Sequence, residues 1–161
     1  MPEMKLSKLD AARRHLEEAS ALFHAVGNEA VALIADGLLG VCSRLDGDLA
    51  GARQRYLEVL SRAEVLAAHI SVTLPLQGLA DLALLEGDAD RAAVLHAAQA
   101  KLGEQLGGTP DFELMGVPNV PDRARAELGD ERYEAAAARG RAMPVDDVIN
   151  LARGDTAVSR G

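Results

Sequence analysis

The four residues Leu45-Asp46-Gly47-Asp48 recur forty positions later as Leu85-Glu86-Gly87-Asp88, and this repetition decides the fold. Glycine readily takes the left-handed conformation that ends a helix, and aspartate caps the first turn of a following helix. Each segment therefore predicts the end of one helix and the start of the next. An internal period of this length is typical of helical-repeat proteins.

Apolar and small residues follow the same period on either side of these turns. The equivalent positions are Leu9, Leu49 and Ala89; Ala12, Ala52 and Ala92; Leu16, Tyr56 and His96; and Val26, Leu66 and Leu106. Within one unit they are mostly three or four residues apart, which is the spacing of one face of an α-helix. The pattern predicts an all-α fold with helices near 8–26, 29–45, 49–68, 73–86 and 89–106.

Pro75 restricts where the fourth helix can begin. Proline is tolerated in the first turn of a helix and breaks its interior. A helix capped by Thr73, with Pro75 just inside it, satisfies this restriction. The alternative is a helix that starts near His69 and is kinked.

Glycine and proline become frequent after residue 107, which indicates a change of organisation. We divide the chain into a helical-repeat region (1–107), a Gly/Pro-rich loop (108–121), a C-terminal helical cap (122–153) and a frayed tail (154–161). Short helices are expected near 122–128, 131–140 and 145–152. Solenoids expose apolar surface at their ends, and a cap of this kind would cover it.

Charge and composition exclude several classes of protein. The net charge of −8 argues against direct binding of nucleic acid, although Arg13 with Arg14, or Arg123 with Arg125, could form a local basic patch. Cys42 is the single cysteine, so the chain forms no internal disulfide. The N-terminus has no apolar segment typical of a signal peptide, and no stretch is apolar enough for a membrane span. We expect a cytoplasmic protein.

A small residue on the first helix of each pair and an aromatic residue on the second helix form a known pattern. Leu39-Gly40 and Leu79-Ala80 lie on the first helix of a pair, and Ala52 is followed four residues later by Tyr56. This resembles the tetratricopeptide repeat. The resemblance implies an antiparallel helix-pair solenoid of about two and a half pairs. The period is 40 residues instead of the usual number of about 34, so positions of the family's groove do not transfer directly.

A longer resemblance covers most of the chain. It rests on residues 16–23, 79–88, 91–98, 128–143 and 146–149. These stretches are similar to the C-terminal helical-repeat region of large actinobacterial ATPase-type transcriptional regulators, including LuxR-type and adenylate-cyclase-linked ones. The chain has no GxxxxGK[ST] loop and no evident helix-turn-helix. The resemblance therefore implies a sensor or interaction module, either excised from a regulator or free-standing.

No catalytic, cofactor or metal site is indicated. The four histidines, His15, His24, His69 and His96, have no ligand spacing with one another or with Cys42. Cys42 is interpreted as a small buried apolar residue. His96 and Gln99 interrupt the apolar face of the fifth helix, and we interpret this as a weakening of the last repeat where the tail packs.

The concave groove is the best candidate for a binding site. In tetratricopeptide folds the first helix of each pair lines this surface. The expected groove residues are Gly37, Val41, Arg44, Gln77, Asp81 and Leu84. Arg44 and Asp81 would give a mixed polar patch able to hold a peptide or a small ligand. A solvated face, or one covered by another subunit, is the alternative.

These observations together predict a non-enzymatic module for protein–protein interaction and regulation. The helix at 8–26 lacks the partner helix that its repeat position implies, so we expect a protein partner or a homodimer there. The alternative is a sensor that binds a peptide or small-molecule effector in the groove.

Overall fold

The computed structural model describes residues 2–108 and 110–154, with side chains from residue 7 onward, and this part of the chain is helical without a β-strand. The all-α class is thereby confirmed. The elements are α1 (Pro2–Ala25), α2 (Glu29–Leu45), α3 (Leu49–Leu66), a 3₁₀ turn (His69–Ser71), α4 (Thr73–Leu85), α5 (Ala89–Gln105), α6 (Val120–Leu128), α7 (Asp130–Ala142) and α8 (Val145–Arg153).

The turns of the first five helices are spaced by twenty residues, half of the period seen in the sequence. Residues 27, 47, 67, 87 and 107 all have a positive φ angle. The next residue in each case donates its N–H to the carbonyl five residues before it, as Asp48 does to Ser43 and Asp88 to Ala83. This is the hydrogen bond of a Schellman motif, so the same closing geometry is used five times.

The residue after each turn determines how the next helix begins. The side chains of Asn28, Asp48 and Asp88 accept hydrogen bonds from the backbone N–H three residues later and cap α2, α3 and α5. Ala68 occupies this position before α4 and offers no side-chain acceptor. A 3₁₀ turn intervenes there, and α4 starts later.

The start of α4 combines one correct expectation with one wrong one. Pro75 lies in the first turn of α4, as expected, where a missing N–H costs no intrahelical hydrogen bond. Thr73 is not the N-cap. It is the first residue of the helix, and its hydroxyl donates instead to the carbonyl of Ile70 at 3.3 Å.

Other helix bounds lie close to the expected ones. The helix α1 starts at Pro2, well before residue 8, and α6 starts at Val120. Gly154 ends α8 in the left-handed conformation. The predicted frayed tail lies outside the described residues from residue 155 onward.

One apolar core runs through the helices from α2 to α8. Its buried members extend along the sequence from Leu33 to Ala152 and include Tyr56, Leu95 and Ile149. The helices α6, α7 and α8 all pack on α5, and α6 also contacts α4. Among the residues whose side chains are described, α1 adds none to this core and packs mainly against α2. Within the same part of the chain, no helix combines the length and apolarity needed to cross a membrane.

Candidate functional site

Tyr56 on α3 fixes how closely α2 and α4 approach. Its ring lies against the backbone of Gly40 on one side and of Gly78 on the other, and a Cβ added at Gly40 would be only 2.6 Å from the ring. The phenol is fully buried, and burial together with the nearby Asp81 carboxylate raises the pKa of Tyr56. Two glycines facing one ring bring three helices together and thereby set the spacing between α2 and α4.

The six residues expected in the groove lie on two helices that contact each other. Gly37, Val41 and Arg44 are on α2, and Gln77, Asp81 and Leu84 are on α4. All of them are buried except the partly exposed Arg44. A Cβ at Gly37 would meet the side chain of Leu74 at 3.1 Å, so α2 and α4 are in close contact here.

Asp81 is the centre of an ion-pair cluster on this face. Arg44 donates through Nε to Asp81 Oδ2 at 2.7 Å, and Arg123 on α6 donates through Nη1 to Asp81 Oδ1 at 2.7 Å. The carboxylate is 1 % exposed, whereas both guanidinium groups reach the surface. A buried carboxylate held by two arginines is compensated in charge and fixed in position.

Other parts of the chain cover the surface formed by these residues of α2 and α4. Gly116, in the loop before α6, lies so close to α2 that an added Cβ would be 3.0 Å from the Val41 side chain, and Arg123 reaches Asp81 from α6. Gln77 faces α5 and accepts a hydrogen bond from His96 Nδ1 at 3.0 Å. The polar groups expected to bind a ligand are therefore engaged with one another, and ligand binding in this groove stays a prediction.

A second polar cluster attaches α1 to α2. His24 Nδ1 contacts the Glu29 carboxylate at 2.9 Å, and Ser20 Oγ donates to Asp36 Oδ1 at 2.5 Å. His24 Nε2 lies 3.4 Å from the other oxygen of Asp36, and Arg62 donates to Glu29 at 2.7 Å. The hydrogen bond that His24 donates to Glu29, with a further one to Asp36, raises the pKa of His24, and the same His24–Glu29 bond lowers the pKa of Glu29.

The outer face of α1, continued by Val26 just after the helix, exposes apolar residues. Ala12 is exposed, whereas the equivalent Ala52 and Ala92 are completely buried. Leu22 and Val26 are 66 % and 75 % exposed. The packing that the repeat provides on α3 and α5 is therefore incomplete on α1.

No protein-family model, no curated protein and no solved structure matches the chain. A function must therefore follow from the geometry of its own residues. Among the described residues, no three His, Cys, Asp or Glu side chains come together in a way that could hold a metal ion.

Sequence reasoning missed two partners in these clusters. Arg123 was noted only as part of a basic patch, because nothing in the sequence places it beside a carboxylate 42 residues away. The contact of His24 with Glu29 spans the turn between α1 and α2. A signal was available in that case: two helices joined by a tight turn bring side chains on either side of the turn together.

Proposed function

We propose that the chain is a non-enzymatic protein-interaction module of tetratricopeptide type, which self-associates through the outer face of α1. The observation that carries the proposal is the difference between equivalent positions, since Ala12 is exposed and Ala52 and Ala92 are buried. The tetratricopeptide assignment is supported by Tyr56, whose ring fills the space between the glycines of two neighbouring helices.

The charges along α1 favour a second copy of the chain as the partner. The exposed side chains Lys8 and Arg14 precede Leu16, and the exposed Glu17 and Glu18 follow it. Two α1 helices in antiparallel orientation would place the basic half of each beside the acidic half of the other. Antiparallel pairing about a two-fold axis is also the geometry of the commonest homodimers.

The proposed regulatory role has a separate basis. Residues 128–143 and 146–149 resemble the end of the helical-repeat region of ATPase-type transcriptional regulators. In such an architecture, a self-associating module without chemistry of its own would control the assembly of the attached domains. We therefore propose a part of, or a relative of, such a regulator.

Sedimentation equilibrium of the whole chain tests self-association. We expect a monomer–dimer equilibrium with a Kd of about 1–100 μM, which corresponds to a modest interface. Leu22→Glu with Val26→Glu should weaken it at least about tenfold, because two buried carboxylates would face apolar surface. Leu114→Glu is the matched control, since Leu114 is 86 % exposed and lies outside α1. A wild-type monomer at about 1 mM, or an equal effect of the control, would contradict the proposal.

Charge exchange tests the antiparallel orientation. Glu17→Lys with Glu18→Lys should weaken the dimer, because the second half of α1 would then repel the basic first half of its partner. Adding Lys8→Glu and Arg14→Glu to the same chain should restore the affinity. Failure of this restoration, with the helix content unchanged, would show that the two helices are not antiparallel neighbours.

A further inference from the structure

A cavity of about 300 Å³ lies between α4, α5 and the loop that leads into α6. Its lining includes three polar side chains from the helices, Gln77, His96 and Gln99, and the apolar residues Phe112 and Val117 from the loop. Pockets that hold small molecules have this composition, with a mostly apolar lining and a few fixed polar groups. The cavity is separate from the α1 surface.

Gln99 is the unexplained residue of this cavity. Its side chain is 1 % exposed, and within the described chain its Oε1 accepts no hydrogen bond. Val59 occupies the equivalent position of α3 and is part of the apolar core. An amide whose oxygen is buried without a partner reduces stability compared with an apolar side chain, so its presence in the lining points to a ligand.

His96 adds a second acceptor of defined orientation. Gln77 Oε1 can only accept, so the proton of the neutral ring is on Nδ1, which lies 3.0 Å from it, and Nε2 presents a lone pair. Burial, and secondarily the positive charge of Arg141, lowers the pKa of His96 and favours the neutral ring. Arg141 does not line the cavity.

The rim of the cavity is acidic. Asp111 and Glu113 lie on it, and the described lining contains neither lysine nor arginine. Asn119 donates to Glu113 Oε1 at 2.5 Å and holds that carboxylate at the rim. Every charged side chain in the described lining is thus anionic, and one neutral acceptor, Gln99 Oε1, has no partner within the described chain.

We propose that this cavity binds a small organic cation that carries N–H donors on an apolar body, such as an amidine or a primary amine. The donors would pair with Gln99 Oε1 and His96 Nε2, the charge would be balanced by Asp111 and Glu113, and the body would lie against Phe112. An anion of the same shape is excluded, because its charge would lie beside two carboxylates and the described lining has no cationic side chain to balance it.

Three probes of one shape test the proposal: benzamidine, benzamide and benzoate, each titrated into the ¹⁵N-labelled whole chain. We expect benzamidine to bind with a Kd of about 1–10 mM, as suits a ligand of its size, and to shift the amides of His96–Ala100 and residues 111–120. Benzamide should bind more weakly and benzoate not at all. Equal binding of benzoate, shifts confined to other parts of the chain, or no binding of benzamidine would overturn the proposal.

Variants separate a binding role of the residues from a structural one. Gln99→Leu should weaken the binding of benzamidine at least about tenfold. The same variant should unfold at a higher temperature than wild type, because an unpaired buried oxygen is removed. Glu113→Gln should weaken the binding about threefold or more, and this exposed substitution leaves the core unchanged. Glu17→Gln on α1 removes the same charge away from the cavity and should have no effect. Unchanged affinity in both cavity variants would also overturn the proposal.

Discussion

Ala67 has the backbone conformation that glycine has at the four equivalent turns. Its φ angle is +52°, and it is the one described residue other than glycine with a positive φ. The hydrogen bond from Ala68 N–H to the Ala63 carbonyl, at 2.9 Å, has the same place in the turn as those after Gly47 and Gly87. The fold therefore imposes the left-handed conformation on a residue that disfavours it.

Ala67→Gly should stabilise the protein by about 1 kcal/mol, because glycine adopts positive φ without the steric cost of a Cβ. Urea unfolding followed by circular dichroism measures the change. Gly87→Ala is the matched control and should destabilise by a similar amount, since a Cβ there meets no atom within 4 Å and the effect is conformational only. A loss of stability in Ala67→Gly would contradict this explanation.

Asp81 shows how one residue can be buried as an ion because of residues far away in the sequence. Its two arginine partners come from α2 and α6, which have α3, α4 and α5 between them in the sequence. The position of Asp81 on the side of α4 that faces Arg44 follows from helical spacing. Its second partner does not, because that depends on the fold of the loop before α6.

The attachment of α1 to α2 depends on a histidine and two carboxylates. His24 contacts both Glu29 and Asp36, and Ser20 and Arg62 contact the same carboxylates. These groups are polar and partly exposed, whereas α2 to α5 are also held together by the buried apolar core. The α1 helix is thus the element whose position should respond most to pH.

The directions of the pKa shifts of His24 and Glu29 define the pH range in which their contact stabilises the protein. The pKa of His24 is raised above 6.5, so its stabilising contribution is complete below 6.5 and is lost as the pH rises through the raised value. The pKa of Glu29 is lowered below 4.5, so its contribution is present above 4.5 and is lost as the pH falls through the lowered value. The contact is therefore strongest between pH 4.5 and 6.5.

Hydrogen exchange of the α1 amides across this range tests the window. Protection of wild-type α1 should fall between about pH 6.5 and 8, after correction for the intrinsic exchange rate. The His24→Gln variant should lose this dependence. The protection of wild type and of His24→Gln must be compared at each pH. Burial lowers the pKa of His96, so the contribution of His96 to stability changes with pH in the opposite direction. An identical slope in both proteins would contradict the role of His24.

Helical periodicity predicted the elements well because each signal is local. The two Gly-Asp turns predicted the ends of α2 and α4 and the starts of α3 and α5, and the caps at Asp48 and Asp88 are made as expected. Ala67 escaped notice because no residue type marks its conformation. Two features place the start of α4 at Thr73: the lack of a side-chain cap, and Pro75, which must lie in the first turn. Only the effect of the proline was recognised from the sequence.

Helical spacing places the six expected groove residues on α2 and α4, but it does not predict what surrounds them. Six positions one turn apart could be placed on two helices, which required only the period of the helix. That Gly116 and Arg123 would cover them depends on how a loop rich in glycine and proline closes, and such loops carry no periodic pattern. The cavity at Gln99 has the same origin, although the sequence did mark Gln99 as an exception to the apolar pattern.

The core of the molecule is continuous, and this has a consequence for how it unfolds. Buried residues of α8, such as Ile149, belong to the same cluster as Leu95 of α5 and Tyr56 of α3. The segment after the loop is therefore packed into the body of the protein, although it lies outside the forty-residue repeat. The α1 helix has the opposite character, since its described side chains lie outside this cluster.

Ile149→Ala should destabilise α5 and α8 together by about 2–4 kcal/mol, the usual range for removing a buried isoleucine side chain. Native-state hydrogen exchange measures the opening free energy of each helix, and we expect equal losses in both, because one core cluster opens as a unit. The amides of α1 should already exchange at a lower free energy and should not change. Phe23→Ala, on the half-buried face of α1, is the matched control, and its effect should be confined to α1. Unchanged protection of α5 in Ile149→Ala would instead make the segment after the loop a separate folding unit, with the repeat region stable on its own.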